Sequence, residues 1–296
     1  MGDMITGVAA GIGTQGDRRV GCVAHPPDPG EFMTQFAQPA LITTVHDPEG
    51  RLLPRLHRSC ASLGWYAGVY AFATEVTDGA VIDALRAAEA SVVVGELGIP
   101  GSAQRQLLAA AMDDGHAEVL CCDFDRWLHW VGTYPDELAG LRDRLRSACP
   151  EAWYVCLGRT ERAFATHPAT QILPETATNR ALMAVAGMDL DATAGAAWIR
   201  VEGARLIVAG STCASKATDL EWPGLVLQAG GRQRLRGVQL EGLEFETPDA
   251  YRDEIAAAGS LAAWMAATYD RPQVMLERLQ LATDSVEALI RVTGPT

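Results

Sequence analysis

Asp123 and Asp125 stand one residue apart behind a short apolar run at 119–122, which itself follows Gly115. A run of that length, opened by a glycine and closed by acids, reads as a buried strand. If the backbone stays extended past its end, the two carboxylates point the same way, because strand side chains alternate with period two. An acid-x-acid pair at the carboxyl edge of a strand offers hard oxygen ligands to Mg²⁺ or Mn²⁺, cations that commonly bridge to phosphate. The same pair also fits a solvated loop in a chain with 37 acidic residues, so the surrounding elements have to decide.

Those elements alternate. A strand at 41–45 and a turn at 46–50 lead into a helix at 52–63. A strand at 67–73 and a polar turn at 74–79 lead into a helix at 81–90. A third strand at 91–95 ends in the Gly/Pro loop 98–101, with Ser102 as N-cap of a helix at 103–112 that carries Arg105. The run at 119–122 is the fourth strand. This alternation predicts an α/β fold with a mostly parallel sheet flanked by helices. In such sheets ligands sit at the carboxyl ends of the strands. That edge collects Asp47, Glu75, the 98–101 loop, Asp123 and Asp125.

Further on, Pro135 opens a helix and 152–157 reads as a strand. A helix follows at 175–186. Residues 199–202 and 206–208 read as short paired strands around a turn at Gly203, and 224–228, 235–239 and 243–246 as further strand-like pieces. Thr247-Pro248 starts a helix with Tyr251, Ile255, Leu261 and Trp264 on one face, and a last helical stretch runs from Pro272. Trp127 and Trp130 read as packing residues ahead of an aromatic binding platform. The expected division is a flexible extension at 1–38, a main α/β domain at 39–248 and C-terminal helices at 249–296. The Gly-Ile-Gly within 7–16 has neither a strand before it nor a clear helix after it, so it is a weak dinucleotide fingerprint and reads better as part of the extension.

Composition narrows the function. The net charge of −13 disfavours non-specific nucleic-acid binding and anionic membrane surfaces. Lys216 is the only lysine; every other basic side chain is Arg. Seven cysteines without a C-x-x-C pair argue against a zinc site or a disulfide framework, and Cys121, Cys122 and Cys156 read as core residues. No apolar stretch is long enough to span a bilayer, and no leader pattern precedes the domain, so a cytoplasmic protein is expected. A homo-oligomer is left open.

With these elements in order, residues 41–131 resemble glycosyltransferases of the GT-A fold, in particular the large family-2 group. The match rests on the second strand, acidic turn and helix at 69–85, on Gly98-Ile99-Pro100-Gly101-Ser102-Ala103-Gln104-Arg105, and on Cys122-Asp123-Phe124-Asp125. The resemblance implies a Rossmann-like GT-A sheet with a C-terminal helical extension. It implies a UDP- or GDP-sugar donor, a divalent cation (Mg²⁺ or Mn²⁺) held by Asp125 with Asp123 as direct or outer partner, and an unidentified acceptor. Arg105, the helix start near Gly101, and Asp123 would face the diphosphate, and Asp47 or Glu75 the nucleoside. If the reaction inverts, an acid near 219–221 deprotonates the acceptor, with Glu221 first choice and Asp219 second. The acids here read Asp-x-Glu and the first turn reads His46-Asp47-Pro48-Glu49, both departures from the family pattern. A non-catalytic nucleotide-binding protein of the same fold and a sugar-nucleotidyltransferase are the alternatives. A haloacid-dehalogenase-type phosphatase fits less well, because its Asp-x-Asp follows the first strand.

Overall fold

The structure is a computed structural model that describes residues 38–294. The extension expected at 1–38 and its Gly-Ile-Gly lie outside the described residues, Gln38 excepted. The first half follows the expected alternation: β1 (Ala40–Val45), α1 (Leu53–Ser59), β2 (Gly68–Thr74), α2 (Gly79–Ala87), β3 (Ser91–Gly95), α3 (Pro100–Asp113), β4 (Glu118–Cys122) and α4 (Phe124–Thr133). After it come α5 (Pro135–Ala139), α6 (Leu141–Ala148), β5 (Tyr154–Arg159), α7 (Glu161–Ala165), α8 (Ala169–Ala186), β6 (Ala196–Arg200), α9 (Val201–Gly210), α10 (Thr218–Gly230), β7 (Leu235–Leu240), α11 (Arg252–Ala257), α12 (Leu261–Tyr269) and α13 (Pro272–Thr293).

The strands form one sheet in the order β3-β2-β1-β4-β6-β5-β7. All pairs are parallel except those of β6, which runs antiparallel between β4 and β5. β1 shows why the sheet is covered on both faces. Leu41 and Val45 enter one core cluster and Ala40 and Ile42 the other, the period-two division of a strand buried on both sides. The first cluster packs Leu56 of α1, Leu85 of α2 and Trp127 of α4 on one face. The second packs Leu107 of α3, Leu182 of α8, Ile207 of α9 and Leu289 of α13 on the other. Cys121 and Cys122 divide between the same two faces, and burial pushes the Cys121 thiol up to about 12, so both are inert core residues.

The second half departs from the sequence expectation at the paired strands expected around Gly203 and at the strand-like piece expected at 224–228. Residues 201–210 are the helix α9, and 224–228 lie inside α10. Within α9, Gly203 carries no side chain, and a Cβ there would stand only 2.6 Å from the Trp153 carbonyl oxygen. Gly224 likewise makes room for Val292 and Leu289 of α13. These glycines permit close approach of elements rather than reversal of the chain. The expected strand at 243–246 is a loop whose apolar residues, Leu243 and Phe245, are buried by packing. The helix expected from Thr247 is broken into a 3₁₀ turn (Thr247–Ala250), α11 and α12, with Ser260 capping α12 through the Ala263 N–H. No described helix is long and apolar enough to cross a membrane. Gly203→Val places side-chain atoms against the Trp153 carbonyl, so we expect a loss of roughly 1–3 kcal/mol in urea unfolding, the range for overpacking.

Candidate functional site

The backbone at the acid-x-acid motif does not stay extended. β4 ends at Cys122 and α4 starts at Phe124, so Asp123 is the N-cap and Asp125 lies in the first helical turn. Neighbours two apart on a helix do not share a face, and the two carboxylates accordingly serve different spaces. Asp123 lines an apolar cleft of about 400 Å³ and a polar cavity of about 270 Å³. Asp125 lines the apolar cleft and a third cavity of about 280 Å³.

Asp123 forgoes the usual N-cap bond to its own helix. Its carboxylate instead receives the Lys216 ammonium at 2.6 and 2.8 Å, the Thr44 hydroxyl at 3.1 Å and the Gln104 amide at 3.4 Å. Burial opposes the charge on Lys216, but Asp123 and then Asp219 outweigh it and hold the ammonium well above the ordinary lysine value. Lys216 lines both the apolar cleft and the polar cavity. Its one sequence signal was being the sole lysine in a chain that otherwise uses Arg.

The loop 211–217 that carries Lys216 is held by three residues singled out in the sequence. The Gly101 N–H donates to the Ala214 carbonyl at 2.8 Å, and a Cβ at Gly101 would meet the Ser215 carbonyl at 2.3 Å. Arg105 donates to the Cys213 carbonyl at 2.9 Å and to the Ser211 hydroxyl at 3.0 Å. Glu221 is fully buried and accepts from the Ser211 hydroxyl at 2.5 Å, the Thr212 N–H at 2.9 Å and Arg291 at 3.1 Å. Gly101, Arg105 and Glu221 line none of the three cavities. They clamp the loop that presents Lys216.

Asp219, in the first turn of α10, lines the polar cavity, and its carboxylate makes no hydrogen bond. Burial and, against the pull of Lys216, the charge of Asp123 push it up to about 7. Asp47 is buried and caps the following turn through the Arg51 and Leu52 N–H groups at 2.9 and 2.8 Å. It lines the 280 Å³ cavity. Glu75 is exposed and lines none of the three. The residues one place earlier, His46 and Thr74, line the apolar cleft and are hydrogen-bonded to each other at 3.0 Å. Trp127 and Trp130 are fully buried, and His129 is held between Asp249 at 2.6 Å and Glu244 at 3.2 Å.

Two further carboxylates lie near the junction of the cavities. Asp125 accepts only the Arg126 N–H, and burial, then Glu246 and Asp123, push it up to about 7. Glu246 lies 2.9 Å from the Arg126 guanidinium, yet its buried Oε2 has no aligned hydrogen bond. No group of three or more His, Cys, Asp or Glu is gathered for a metal among the described residues. Two hard carboxylates with unfilled lone pairs do suit a divalent cation that takes its remaining ligands from phosphate and water. Asp123 suits it less, being already neutralised by Lys216.

No protein-family model matches the sequence, and no curated protein matches it either. Solved structures do match. Glucosyl-3-phosphoglycerate synthase from Mycobacterium tuberculosis, in complex with phosphoglyceric acid, superposes with a TM-score of 0.53 at 14% identity, over 88% of this chain and 81% of that one. Its complex with Mn²⁺, UDP-glucose and phosphoglyceric acid gives 0.52 at 14% identity over the same shares. Its complex with UDP gives 0.51 at 15% identity, again over 88% and 81%. The chain has the GT-A glycosyltransferase fold. The mostly parallel GT-A sheet expected from residues 41–131 thus extends over most of the chain, with the antiparallel β6 added at its centre.

Glu221 offers a test of the clamp. Although burial opposes it, hydrogen bonds from Ser211, Thr212 and Cys213 hold its carboxyl at about 2. Its stabilising contribution is therefore complete above the unfolded carboxylate value near 4.3 and is lost as pH falls toward 2, an effect of roughly 3 kcal/mol. We expect Glu221→Gln to unfold at lower denaturant near neutral pH, with the gap from wild type closing below about pH 4.

Proposed function

We propose that this chain transfers a glycosyl group from a UDP- or GDP-linked sugar to an acceptor hydroxyl. The observation that carries the proposal is the Asp123–Lys216 ion pair, which borders both the apolar cleft and the polar cavity. Group transfer needs two such compartments with charge stabilisation at the bond that breaks. The cleft at the ends of β1, β2 and β4, with His46, Phe72 and Thr74 in its walls, suits a nucleoside. The binding of UDP, UDP-glucose and Mn²⁺ by structural neighbours supports this choice.

In the reaction, the acceptor oxygen bonds to the anomeric carbon while the bond from that carbon to the diphosphate breaks. Charge builds on the leaving diphosphate, and the Lys216 ammonium is preorganised beside it by the clamp of Gly101, Arg105 and Glu221. Asp123 fixes the position of that ammonium. Asp125 and Glu246 would hold a divalent cation, which when bound neutralises the diphosphate as a Lewis acid. Asp219 takes the proton of the acceptor hydroxyl, a role suited to a carboxylate that borders the polar cavity without a hydrogen bond and titrates near neutrality.

Thermal unfolding with UDP and GDP, with and without Mn²⁺, tests the donor side. At 100 times its Kd the preferred nucleotide should stabilise the protein by about 2.7 kcal/mol. Asp125→Asn and Glu246→Gln should remove the Mn²⁺-dependent part, and silence toward every nucleoside diphosphate overturns the proposal. On the acceptor side, Asp219→Asn should lower kcat by about 10²–10⁴ with little change in the donor KM. The wild-type rate should rise with pH through about 7 and lose that rise in the variant.

A further inference from the structure

The polar cavity says what the acceptor is like. Among the described residues, four carboxylates border it, those of Asp123, Glu175, Asp219 and Glu246, against three cations, Arg126, Lys216 and Arg278. Each cation already faces a carboxylate. Lys216 is bonded to Asp123 at 2.6 Å, Arg126 lies 2.9 Å from Glu246, and Arg278 lies 3.9 Å from Glu175. The buried Arg159 behind the wall is taken up by Asp191 and Glu175, both at 2.8 Å. Of the four carboxylates, that of Asp219 has neither a hydrogen bond nor an ion pair among the described residues. A phosphate or carboxylate entering this space would meet the Asp123, Glu175 and Asp219 carboxylates and, among the described residues, no lining cation without a carboxylate already beside it, and such like-charge juxtaposition disfavours binding.

A neutral hydroxyl compound meets the opposite situation. Carboxylates accept hydrogen bonds from hydroxyls without a counter-charge. Gln171, Thr178 and Thr193 add amide and hydroxyl groups to the wall. Phe245 and Tyr269, in edge contact at 5.5 Å between ring centres, supply an apolar side against which the C–H face of a sugar ring can lie. We infer that the acceptor of this chain is an uncharged polyhydroxy compound, a sugar or polyol, bound in the cavity between α8, α10 and α13. The inference rests on the transferase proposal and goes beyond it. It sets this chain apart from the structural neighbour whose complexes contain phosphoglyceric acid.

The test uses the full-length chain with UDP-glucose or GDP-glucose, whichever nucleotide stabilises it, and Mn²⁺. Transfer is measured to glucose, myo-inositol and glycerol, and to 3-phosphoglycerate, glycerol 3-phosphate and glycerate. Expected is transfer to at least one neutral compound with kcat/KM about a hundredfold or more above that of its best anionic rival. Glu175→Gln removes one wall charge and loosens Arg278 and Arg159 from it, so it should narrow that preference about tenfold while donor-induced stabilisation stays unchanged. A better anionic acceptor, transfer to no neutral compound, or a preference unmoved in Glu175→Gln would overturn the inference while leaving the donor proposal standing. Absence of any nucleotide response overturns both.

Discussion

The ion pair between Lys216 and Asp123 joins two parts of the chain that are otherwise separate. Asp123 ends a strand of the parallel half, and Lys216 lies in a loop between α9 and α10, on the far side of β6 in sequence. The pair is partly exposed to the cavities it borders, so its worth lies less in net stability than in where it holds two charges. Asp123 gives up an ordinary helix cap for it. That local rule is broken where the candidate site lies, the kind of place at which proteins give up local preference.

Everything around the pair keeps it in place. Gly101 lets the start of α3 touch the 213–215 backbone, Arg105 ties the same loop by two hydrogen bonds, and Glu221 gathers its N–H groups from below. On the other side, Asp125, Arg126 and Glu246 put a second set of charges near the same junction. The buried set of Arg159, Asp191, Glu175, Asn179 and Thr193 forms the back wall of the polar cavity. Because α8, α10 and α13 close that cavity, the C-terminal helix takes part in the site and is not a mere appendage.

The parallel half was legible because its signals are local. Each strand is a short apolar run, each helix has a period, and the turns carry Gly, Pro or acids. Strand ends then had to meet along one edge, which located Asp123 and Asp125. Legibility stopped at single-residue resolution. Asp47 and Glu75 are the acids at the first two strand ends, but it is His46 and Thr74 that line the apolar cleft, because adjacent residues at a strand end face opposite ways. Residues 201–230 misled for a different reason: Gly203 and Gly224 are small to admit Trp153 and α13, neighbours that no local window reveals.

The sequence by itself determined the α/β alternation and the position of the acid-x-acid pair at the carboxyl edge of the sheet. These follow from hydrophobic period and chain connectivity, which are properties of neighbouring residues. Only the tertiary structure decided what the acids do. Folding brought the sole lysine across 93 positions to neutralise Asp123, left Asp219 without a hydrogen bond in the polar cavity, and turned Glu221 into a clamp. The physical reason is that a carboxylate's role depends on its burial and on the charges beside it, and both are supplied by residues remote in sequence.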